Sequence, residues 1–132
     1  MTGADQLTIS QEECFSILLL PLFYDIYLLE KQTMLNQGYV YIMTNTYRTT
    51  FYIGVTSNLE GRVWEHLNGE GSKFVKKYRL FDLVYFEHFH QITEAISREK
   101  QLKNWHRDWK INLIKSENPE MKDLKGELDL EL

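Results

Sequence analysis

Residues 51–66 have the sequence Phe51-Tyr52-Ile53-Gly54-Val55-Thr56-Ser57-Asn58-Leu59-Glu60-Gly61-Arg62-Val63-Trp64-Glu65-His66, in which a strand pattern changes into a helix pattern. The aromatic and β-branched residues at the start predict a strand. Ser57 or Asn58 is a good N-cap residue, and Leu59, Val63 and Leu67 then recur every four residues, which predicts an amphipathic helix. The stretch therefore predicts a strand that leads directly into a helix.

Arg62 and His66 lie one helical turn apart on this helix, beside the apolar stripe. Arginine provides a permanent planar charge that suits a phosphate, and histidine can move a proton near neutral pH. Together with Tyr52 on the preceding strand, these side chains could bind and activate a phosphate ester. The alternative is an amphipathic helix whose exposed edge carries an arginine and a histidine without a catalytic role. The spacing of the residues leaves both interpretations open.

The length and composition indicate one soluble globular domain. The chain has 132 residues, of which 43% are hydrophobic and 26% are charged, and these values suit one folded domain rather than two. Its one cysteine, Cys14, excludes an internal disulfide and a cysteine-based zinc site. A lone cysteine fits a reducing compartment, so we expect a cytoplasmic protein.

Charge is distributed unevenly along the chain. Residues 1–37 carry one lysine against five acidic residues, and residues 116–132 carry two lysines against six acidic residues, so each end has a net charge of −4. Residues 38–115 carry twelve Lys and Arg against eight acidic residues, which gives a net charge of +4. A basic middle would attract phosphates through salt-dependent electrostatics. The alternative is a lysine-rich surface that is only solvated.

A strongly apolar run covers residues 14–29. The run is shorter than the roughly 20 residues that a membrane-spanning helix needs. The residues before it are acidic, whereas a signal peptide begins with a positive region. Three interpretations remain: a helix packed on the domain, a membrane-surface or partner-binding segment, or translated sequence upstream of a later start at Met34.

Three strands are predicted from residue 38 onward. Residues 39–44 and 50–55 predict a hairpin, and residues 83–89, the most continuously apolar of the three, predict the central strand. Residues two apart on a strand share one face. In the hairpin, Tyr39 and Tyr41 therefore share one face of their strand, and Tyr52 and Gly54 share one face of theirs.

Residues 68–80, between the first helix and the third strand, predict a loop. This loop carries the highest density of positive charge in the chain, on Lys73, Lys76, Lys77 and Arg79, with Phe74 and Tyr78 between them. Cations interleaved with aromatic rings suit a strand of nucleic acid that lies across them. Exposed lysine loops are also commonly only solvated.

The helix predicted over residues 94–105 carries a carboxylate, Glu99, on its apolar stripe. The stripe consists of Ile92, Ala95, Ile96, Leu102 and Trp105. A carboxylate at such a position is costly unless it is paired or holds a metal. Glu99 could instead lie at the edge of the stripe and reach water, or pair with Lys103 four residues later. A last helix is predicted over about residues 107–116.

The order of these motifs resembles the GIY-YIG nuclease family. The resemblance is to small stand-alone members, which look like the N-terminal nuclease domain of the C component of excinuclease ABC, and it covers about residues 38–124. It rests on several stretches that occur in this order: 39–42, 51–56, 62–66, 83–87, 95–103 and 118–124. The fold that it implies is α+β and sandwich-like, with a small, mainly antiparallel three-stranded sheet flanked by helices in the order β-β-α-β-α-α.

The resemblance also implies roles for individual residues. Six residues match positions with a role in the family: Tyr41 in the first motif, Tyr52 and Gly54 in the second, Arg62 as the catalytic arginine, His66 as a histidine that several members share, and Glu99 as the carboxylate that binds Mg²⁺ or Mn²⁺. The glycine of the first motif is replaced by Tyr39, with Gly38 one residue earlier. The late asparagine of the family has three candidate counterparts: Asn104, Asn112 and Asn118.

The domain boundaries follow from the same resemblance. Small members begin a few residues before the first motif, and Met34 supplies such a start. The interpretation as upstream sequence is therefore favoured. It makes residues 1–37 an N-terminal extension, residues 38–124 the nuclease domain and residues 125–132 an acidic tail.

The activity that the resemblance implies is metal-dependent hydrolysis of nucleic acid, with DNA favoured over RNA and a role in DNA repair. Tyr41, Tyr52 and His66 are the candidates for the general base. A tyrosine base requires its pKa to fall from about 10, so unperturbed pKa values favour histidine, whereas the resemblance favours a tyrosine. The residues expected to bind nucleic acid are Lys73, Lys76, Lys77, Tyr78, Arg79 and Lys103. Two other hypotheses are a binding module without activity, and a membrane-associated or partner-bound domain that uses residues 14–29.

Overall fold

The computed structural model describes residues 36–128. Predictions that fall on residues 1–35 and 129–132, including the apolar run and the start at Met34, lie outside the described residues. The elements follow in this order: β1 (Gly38–Thr44), β2 (Phe51–Thr56), α1 (Leu59–Leu67), α2 (Lys73–Tyr78), β3 (Asp82–Phe89), α3 (Ile92–Lys103), α4 (Arg107–Glu117) and a 3-10 turn (Lys125–Glu127). The predicted class, a small antiparallel three-stranded sheet flanked by helices, is confirmed.

β1 is the central strand of this sheet, which has the order β2-β1-β3. The prediction that β3 occupies the centre is wrong. Six of the seven residues of β1 are buried, whereas the second half of β3 is partly accessible from Phe86 onward. The apolar run therefore reflects the burial of the first half of β3 against helices. It gives no information about the position of β3 in the sheet.

α1 begins where the sequence predicts. Asn58 is the N-cap residue, and its Oδ1 atom accepts a hydrogen bond from the backbone N–H of Gly61 at 3.2 Å. Leu59 and Val63 are buried against the sheet. The short connection from β2 fixes the direction of α1 and carries Arg62 and His66 to the face of the sheet.

α2 lies within the segment that was predicted to be a loop, so the helix order is β-β-α-α-β-α-α rather than β-β-α-β-α-α. The Ser72 hydroxyl accepts a hydrogen bond from the backbone N–H of Phe74, and Arg79 ends the helix in the left-handed conformation with φ of 55°. Val75 is the one buried residue of α2. Phe74, Val75 and Tyr78 have helical spacing, but a helix of six residues is too short for an apolar period to be recognised.

Two apolar clusters lie on opposite faces of the sheet. On the α3/α4 face the cluster contains Val40, Ile42, Ile53, Val84, Tyr85, Ala95, Leu102, Ile114 and Met121. On the α1/α2 face it contains Tyr41, Met43, Leu59, Val63, Val75, Leu80 and Leu83. Because successive side chains of a strand point to opposite faces, Tyr41 lies on the α1/α2 face while its neighbours in β1 lie under α3. Tyr39 and Tyr52 pack on the α1/α2 face as well.

α3 starts slightly earlier than predicted. It begins at Ile92 rather than at residue 94, with Gln91 as its N-cap residue, and no side-chain bond caps it. Ile96 was assigned to the buried stripe but is exposed. The buried direction is set by Ala95 and Leu102, and the residue after Ala95 is rotated by about 100° around the helix axis, which turns it towards solvent.

Candidate active site

The Tyr41 hydroxyl and the His66 ring meet inside the α1/α2 face. The Tyr41 Oη atom lies 2.8 Å from His66 Nε2, and at most 1% of either residue is exposed. The bond joins the central strand to the last turn of α1, and the tautomer of His66 sets its direction. Burial and the neighbouring Tyr52 raise the pKa of Tyr41 more strongly than Arg62 lowers it, so the Tyr41 hydroxyl keeps its proton near neutral pH.

His66 is neutral near pH 7 because of its surroundings. Burial, followed by the positive charge of Arg62, lowers its pKa to about 4, against a smaller opposing effect of Glu65. Its Nδ1 atom is buried and has no hydrogen-bond partner in residues 36–128. Gly71 lies against this atom, and a Cβ added there would overlap with Nδ1. His66 is therefore closed off from water and contacts Tyr41 instead.

Gly54 provides the space that the Tyr41 ring occupies. The two residues are paired across β1 and β2. A Cβ added to Gly54 would overlap with the Cζ and Oη atoms of Tyr41 and would lie 2.7 Å from Cε1. The glycine of the Tyr-Ile-Gly motif is thus required by cross-strand packing.

Arg62 brings a permanent positive charge to the edge of this group. Its Nη1 atom lies 2.8 Å from Glu65 Oε2, and its positive charge also acts on the Tyr41 hydroxyl, where burial raises the pKa of Tyr41 more than this charge lowers it. Burial disfavours the charged guanidinium, but the contacts with Tyr41 and Glu65 outweigh burial and raise the pKa of Arg62. The side chain is partly exposed, so a ligand can reach it.

Tyr52 lies between the buried pair and the surface. Its ring centroid is 6.2 Å from that of Tyr41 and 5.6 Å from that of His66. The residue is partly exposed, so Tyr52 is the tyrosine of the site that solvent can reach. Tyr41, Tyr52, Arg62 and His66 together form what we call the tyrosine cluster.

α2 places basic residues next to the tyrosine cluster. The predicted nucleic-acid-binding residues on it are exposed: Lys73, Lys76, Lys77, Tyr78 and the cap residue Arg79. The link to the cluster is Phe74, whose ring stacks with that of Tyr52 at a centroid distance of 6.3 Å. Phe74 was not among the predicted site residues. Residues 68–80 were predicted to be a loop, whereas α2 puts Phe74 and Tyr78 one turn apart on one side of a helix.

Glu99 and Lys103 both belong to α3. α3 packs on the α3/α4 face, and there Glu99 Oε1 pairs with Lys103 Nζ at 3.2 Å. This is one of the alternatives that the sequence left open. In the described part of the chain, no hydrogen bond or ion pair joins Glu99 to the tyrosine cluster. Direct contacts therefore join predicted residues of β1, β2 and α1, and Glu99 and Lys103 contact each other on α3.

Glu99 is the candidate metal ligand, and the described residues limit what it can hold. Within residues 36–128, no group of three or more His, Cys, Asp or Glu side chains could bind a metal ion. Mg²⁺ is commonly held by one or two carboxylates, keeps several waters and takes phosphate oxygens from the substrate. Glu99 is mostly buried, and its partner Lys103 is half exposed. This donor set fits a weakly held hard cation and does not fit zinc.

The three candidate asparagines differ in their surroundings. Asn118 is buried, its Nδ2 atom donates to the carbonyls of Val84 and Lys122, and its Oδ1 atom accepts from the backbone N–H of Lys122. Its amide is therefore used to hold the turn after α4. Asn104 is the C-cap residue of α3, and Asn112 is exposed on α4.

Comparison with known proteins identifies the family of this chain. The family model described as the GIY-YIG catalytic domain matches residues 37–112. A UPF0213 protein of Clostridium perfringens is 38% identical over 93 residues, which cover 70% of this chain and 99% of that protein. A UPF0213 protein of Syntrophus aciditrophicus is 38% identical over 87 residues, which cover 65% of this chain and 98% of that protein.

A solved structure is also similar. The solution NMR structure of a UPF0213 protein of Bacillus halodurans is 26% identical, covers 71% of this chain and 98% of its own, and has a TM-score of 0.45. The family match covers β1, β2, the whole tyrosine cluster and Glu99, and it spans more than half of the chain. The chain therefore belongs to the GIY-YIG catalytic domain family, with UPF0213 proteins as its homologues.

Proposed function

We propose that this protein is a divalent-metal-dependent endonuclease that hydrolyses phosphodiester bonds in DNA. The observation that carries the proposal is the hydrogen bond between the Tyr41 hydroxyl and His66, beside the partly exposed Tyr52 and within reach of the positive charge of Arg62. Membership of the GIY-YIG catalytic domain family supports the same class of reaction.

Arg62 binds the scissile phosphate. Its guanidinium is charged at all relevant pH values and is partly exposed. A planar guanidinium can donate two parallel hydrogen bonds to phosphoryl oxygens. It therefore stabilises the negative charge that grows on those oxygens as the nucleophile attacks, which is a large contribution to catalysis in a site of this kind.

Tyr52, in its deprotonated form, takes the proton from the attacking water and afterwards returns this proton to solvent. Of the three candidates for the general base, Tyr41 and His66 are buried away from water, whereas Tyr52 is partly exposed. The water oxygen forms the new bond to phosphorus, one ester P–O bond breaks, and the leaving oxygen takes up a proton. Tyr41 and His66 act as positioning residues, because they contact Tyr52 and Arg62 from the buried side.

Glu99 would hold Mg²⁺ or Mn²⁺ together with phosphate oxygens of the nucleic acid. When bound, such a metal polarises the phosphate and stabilises the leaving oxygen. Because Glu99 belongs to no group of three or more His, Cys, Asp or Glu side chains within residues 36–128, we expect Mg²⁺ to bind weakly without nucleic acid. Calorimetric titration of the protein with MgCl₂, with and without an uncleavable DNA analogue, would measure this difference.

The basic residues of α2 bind the DNA backbone. Lys73, Lys76, Lys77 and Arg79 are exposed next to the tyrosine cluster, and Tyr78 lies among them. Phosphate contacts of this kind position a nucleic acid without reading its sequence. Four points stay predictions. They are the assignment of Lys103 to binding, the choice of DNA over RNA, the resemblance to the C component of excinuclease ABC with its role in DNA repair, and a cytoplasmic location.

The test is cleavage of labelled single-stranded, duplex and branched DNA and RNA with Mg²⁺, with Mn²⁺ and with EDTA. We expect cleavage of DNA that EDTA abolishes and that the Glu99→Gln variant loses. The matched control is Glu94→Gln, which changes an exposed carboxylate in the first turn of the same helix. Absence of cleavage on every substrate, or equal rates in the two variants, would contradict the proposal.

A second candidate is a nucleic-acid-binding module without activity. The observation that favours it is the Glu99–Lys103 ion pair, because it neutralises the carboxylate that would hold the metal. It requires that DNA binding survive both EDTA and the Glu99→Gln change while no substrate is cut. The membrane-associated alternative depends on residues 14–29, outside the described residues; none of the helices in residues 36–128 has the length and apolar character to cross a membrane.

A further inference from the structure

A row of aromatic rings leads from the tyrosine cluster to the surface of α2. The rings of Tyr52 and Phe74 lie 6.3 Å apart with an interplanar angle of 30°, and those of Phe74 and Tyr78 lie 4.7 Å apart with an angle of 52°. We call Tyr52, Phe74 and Tyr78 the aromatic row. It begins at a group that faces the reacting phosphate in the proposed function and ends on the protein surface.

The outer rings of the row are exposed although α2 packs against the domain. Phe74 is 42% exposed and Tyr78 is 43% exposed, whereas Val75 between them is fully buried. Val75 thus anchors the helix, and the two aromatic residues, four positions apart, share the outward side. Single exposed apolar residues are common. Adjacent exposed rings that continue into a candidate active site indicate a surface that meets a ligand.

The charge around the aromatic row identifies the kind of ligand. α2 contains no acidic residue, and the cations on it or at its end are Lys73, Lys76, Lys77 and Arg79. Lys77 Nζ lies 5.3 Å from the centre of the Tyr78 ring. Flat apolar rings bordered by cations are complementary to a polymer that carries flat bases on a chain of phosphates.

Base stacking on these rings requires unpaired nucleotides. In duplex DNA both faces of each base are covered by the neighbouring pairs, so a protein ring can stack only where a base is single-stranded, at an end, or turned out of the helix. We propose that the aromatic row is a subsite that stacks unpaired bases of single-stranded DNA beside the scissile phosphate. This inference rests on the proposed function and names its substrate class.

The chemistry of the row also predicts how selective it is. Phe74 has no hydrogen-bonding atom and therefore cannot read the edge of a base. Stacking on its ring tolerates all four bases because each has a π face. Because Tyr52 belongs both to the row and to the tyrosine cluster, a base stacked on Phe74 lies next to the side chain that faces the attacking water. The row thus favours unpaired DNA without selecting a sequence.

The test measures binding in EDTA, so that no cleavage occurs. A fluorescent single-stranded DNA, a blunt duplex and an RNA of the same sequence are titrated with the full-length protein. We expect tighter binding of the single-stranded DNA than of the duplex. Phe74→Ala should weaken binding of the single strand by about 5- to 150-fold, the range that corresponds to the loss of one base–aromatic stack, and should leave duplex binding nearly unchanged.

Two further variants separate loss of stacking from loss of folding. Phe74→Leu keeps an apolar side chain on α2 but removes the flat ring, so it should also weaken binding while the urea midpoint stays close to that of the wild type. Tyr47→Ala is the control, because Tyr47 is exposed in the turn between β1 and β2 and is not part of the row. It should bind like the wild type.

Salt dependence distinguishes ring contacts from phosphate contacts. Phe74→Ala should leave the slope of log affinity against log salt unchanged, whereas Lys73→Ala should reduce the slope by about 0.7 if that lysine contacts one phosphate of a single strand. Equal affinity for duplex and single strand, or wild-type binding by Phe74→Leu, would overturn the inference. An RNA that binds at least as tightly would overturn the assignment to DNA. Absence of cleavage in other experiments would contradict the proposed function and would leave these binding results intact.

Discussion

Two glycines determine the shape of the tyrosine cluster by leaving room for larger side chains. A Cβ on Gly54 would overlap with Tyr41, and a Cβ on Gly71 would overlap with His66. Close packing of this kind holds side chains in single rotamers. It also closes Tyr41 and His66 off from water, which is the reason for assigning them a positioning role and for placing Tyr52 at the reacting water.

Gly54→Ala should therefore disturb both stability and the site. The added methyl group overlaps with the Tyr41 ring, and overpacking of a buried site costs about 1–3 kcal/mol. Urea unfolding measures this loss. Gly126→Ala is the matched control, because a Cβ at Gly126 meets no atom within 4 Å. Equal urea midpoints for the two variants would contradict the close contact between Gly54 and the Tyr41 ring.

The buried His66 should make stability depend on pH. Its pKa is about 4 in the folded protein and 6.5 without the effects of folding, so the unfolded chain takes up a proton first as the pH falls. The contribution of His66 to the free energy of unfolding is fully present above pH 6.5 and is lost as the pH falls from there towards 4. The slope from this one group is at most about 1.4 kcal/mol per pH unit.

His66→Gln should remove that part of the slope. The measurement is the free energy of unfolding in urea at several pH values within the window. His90→Gln changes a histidine that is exposed after β3, and it should keep the slope of the wild type. If His66→Gln and the wild type lost stability in parallel, His66 would not be buried in its neutral form.

At the scale of the elements, α2 connects the core to the candidate binding surface. One side of this helix contributes Val75 to the apolar cluster of the α1/α2 face, and the other side carries Phe74 and the cations. The position of the whole basic surface thus depends on a single buried side chain. A short helix with one anchor has little intrinsic stability, because most helical stability in proteins comes from packing.

Val75→Ala should release α2. It removes two carbon atoms from a fully buried side chain, which costs about 2 kcal/mol from lost burial and the cavity left behind. Urea unfolding measures the loss, and amide hydrogen exchange over residues 72–80 should accelerate more than in α1. Lys76→Ala, at an exposed position in the same helix, should change stability by less than about 0.5 kcal/mol. Unchanged exchange in Val75→Ala would mean that another contact holds α2.

At the scale of the whole molecule, the local parts of the site could be predicted from the sequence and the long-range parts could not. Tyr52, Gly54, Arg62 and His66 lie in two elements joined by the Asn58 cap, so strand and helix periods were enough to bring them together. The burial of His66 depends on Gly71, which lies in the connection between α1 and α2. The position of β1 in the sheet and the place of Glu99 depend on how helices pack on opposite faces, and no local pattern contains that information.

The overall charge of the chain also conceals its candidate binding surface. The net charge is −4, but the residues between 38 and 115 carry a net charge of +4, and the exposed cations of α2 lie next to the tyrosine cluster. A local basic surface on an acidic protein attracts nucleic acid over short distances and loses that attraction as salt increases. Measurements at high ionic strength would therefore underestimate the contribution of this surface to binding and cleavage.

The nuclease assignment depends on one comparison of rates. DNA from the substrate panel is incubated with an excess of enzyme and Mg²⁺, and the cleavage rates of the wild type, Arg62→Ala and Arg107→Ala are measured. Arg107 is an exposed arginine of α4 that donates to the Thr49 carbonyl, so it is a matched control. We predict metal-dependent cleavage that Arg62→Ala slows by about 10²- to 10³-fold, the usual effect of removing a donor that stabilises transition-state charge, and that Arg107→Ala leaves near the wild-type rate. Cleavage by Arg62→Ala at the wild-type rate, or no cleavage by the wild type, would contradict the account.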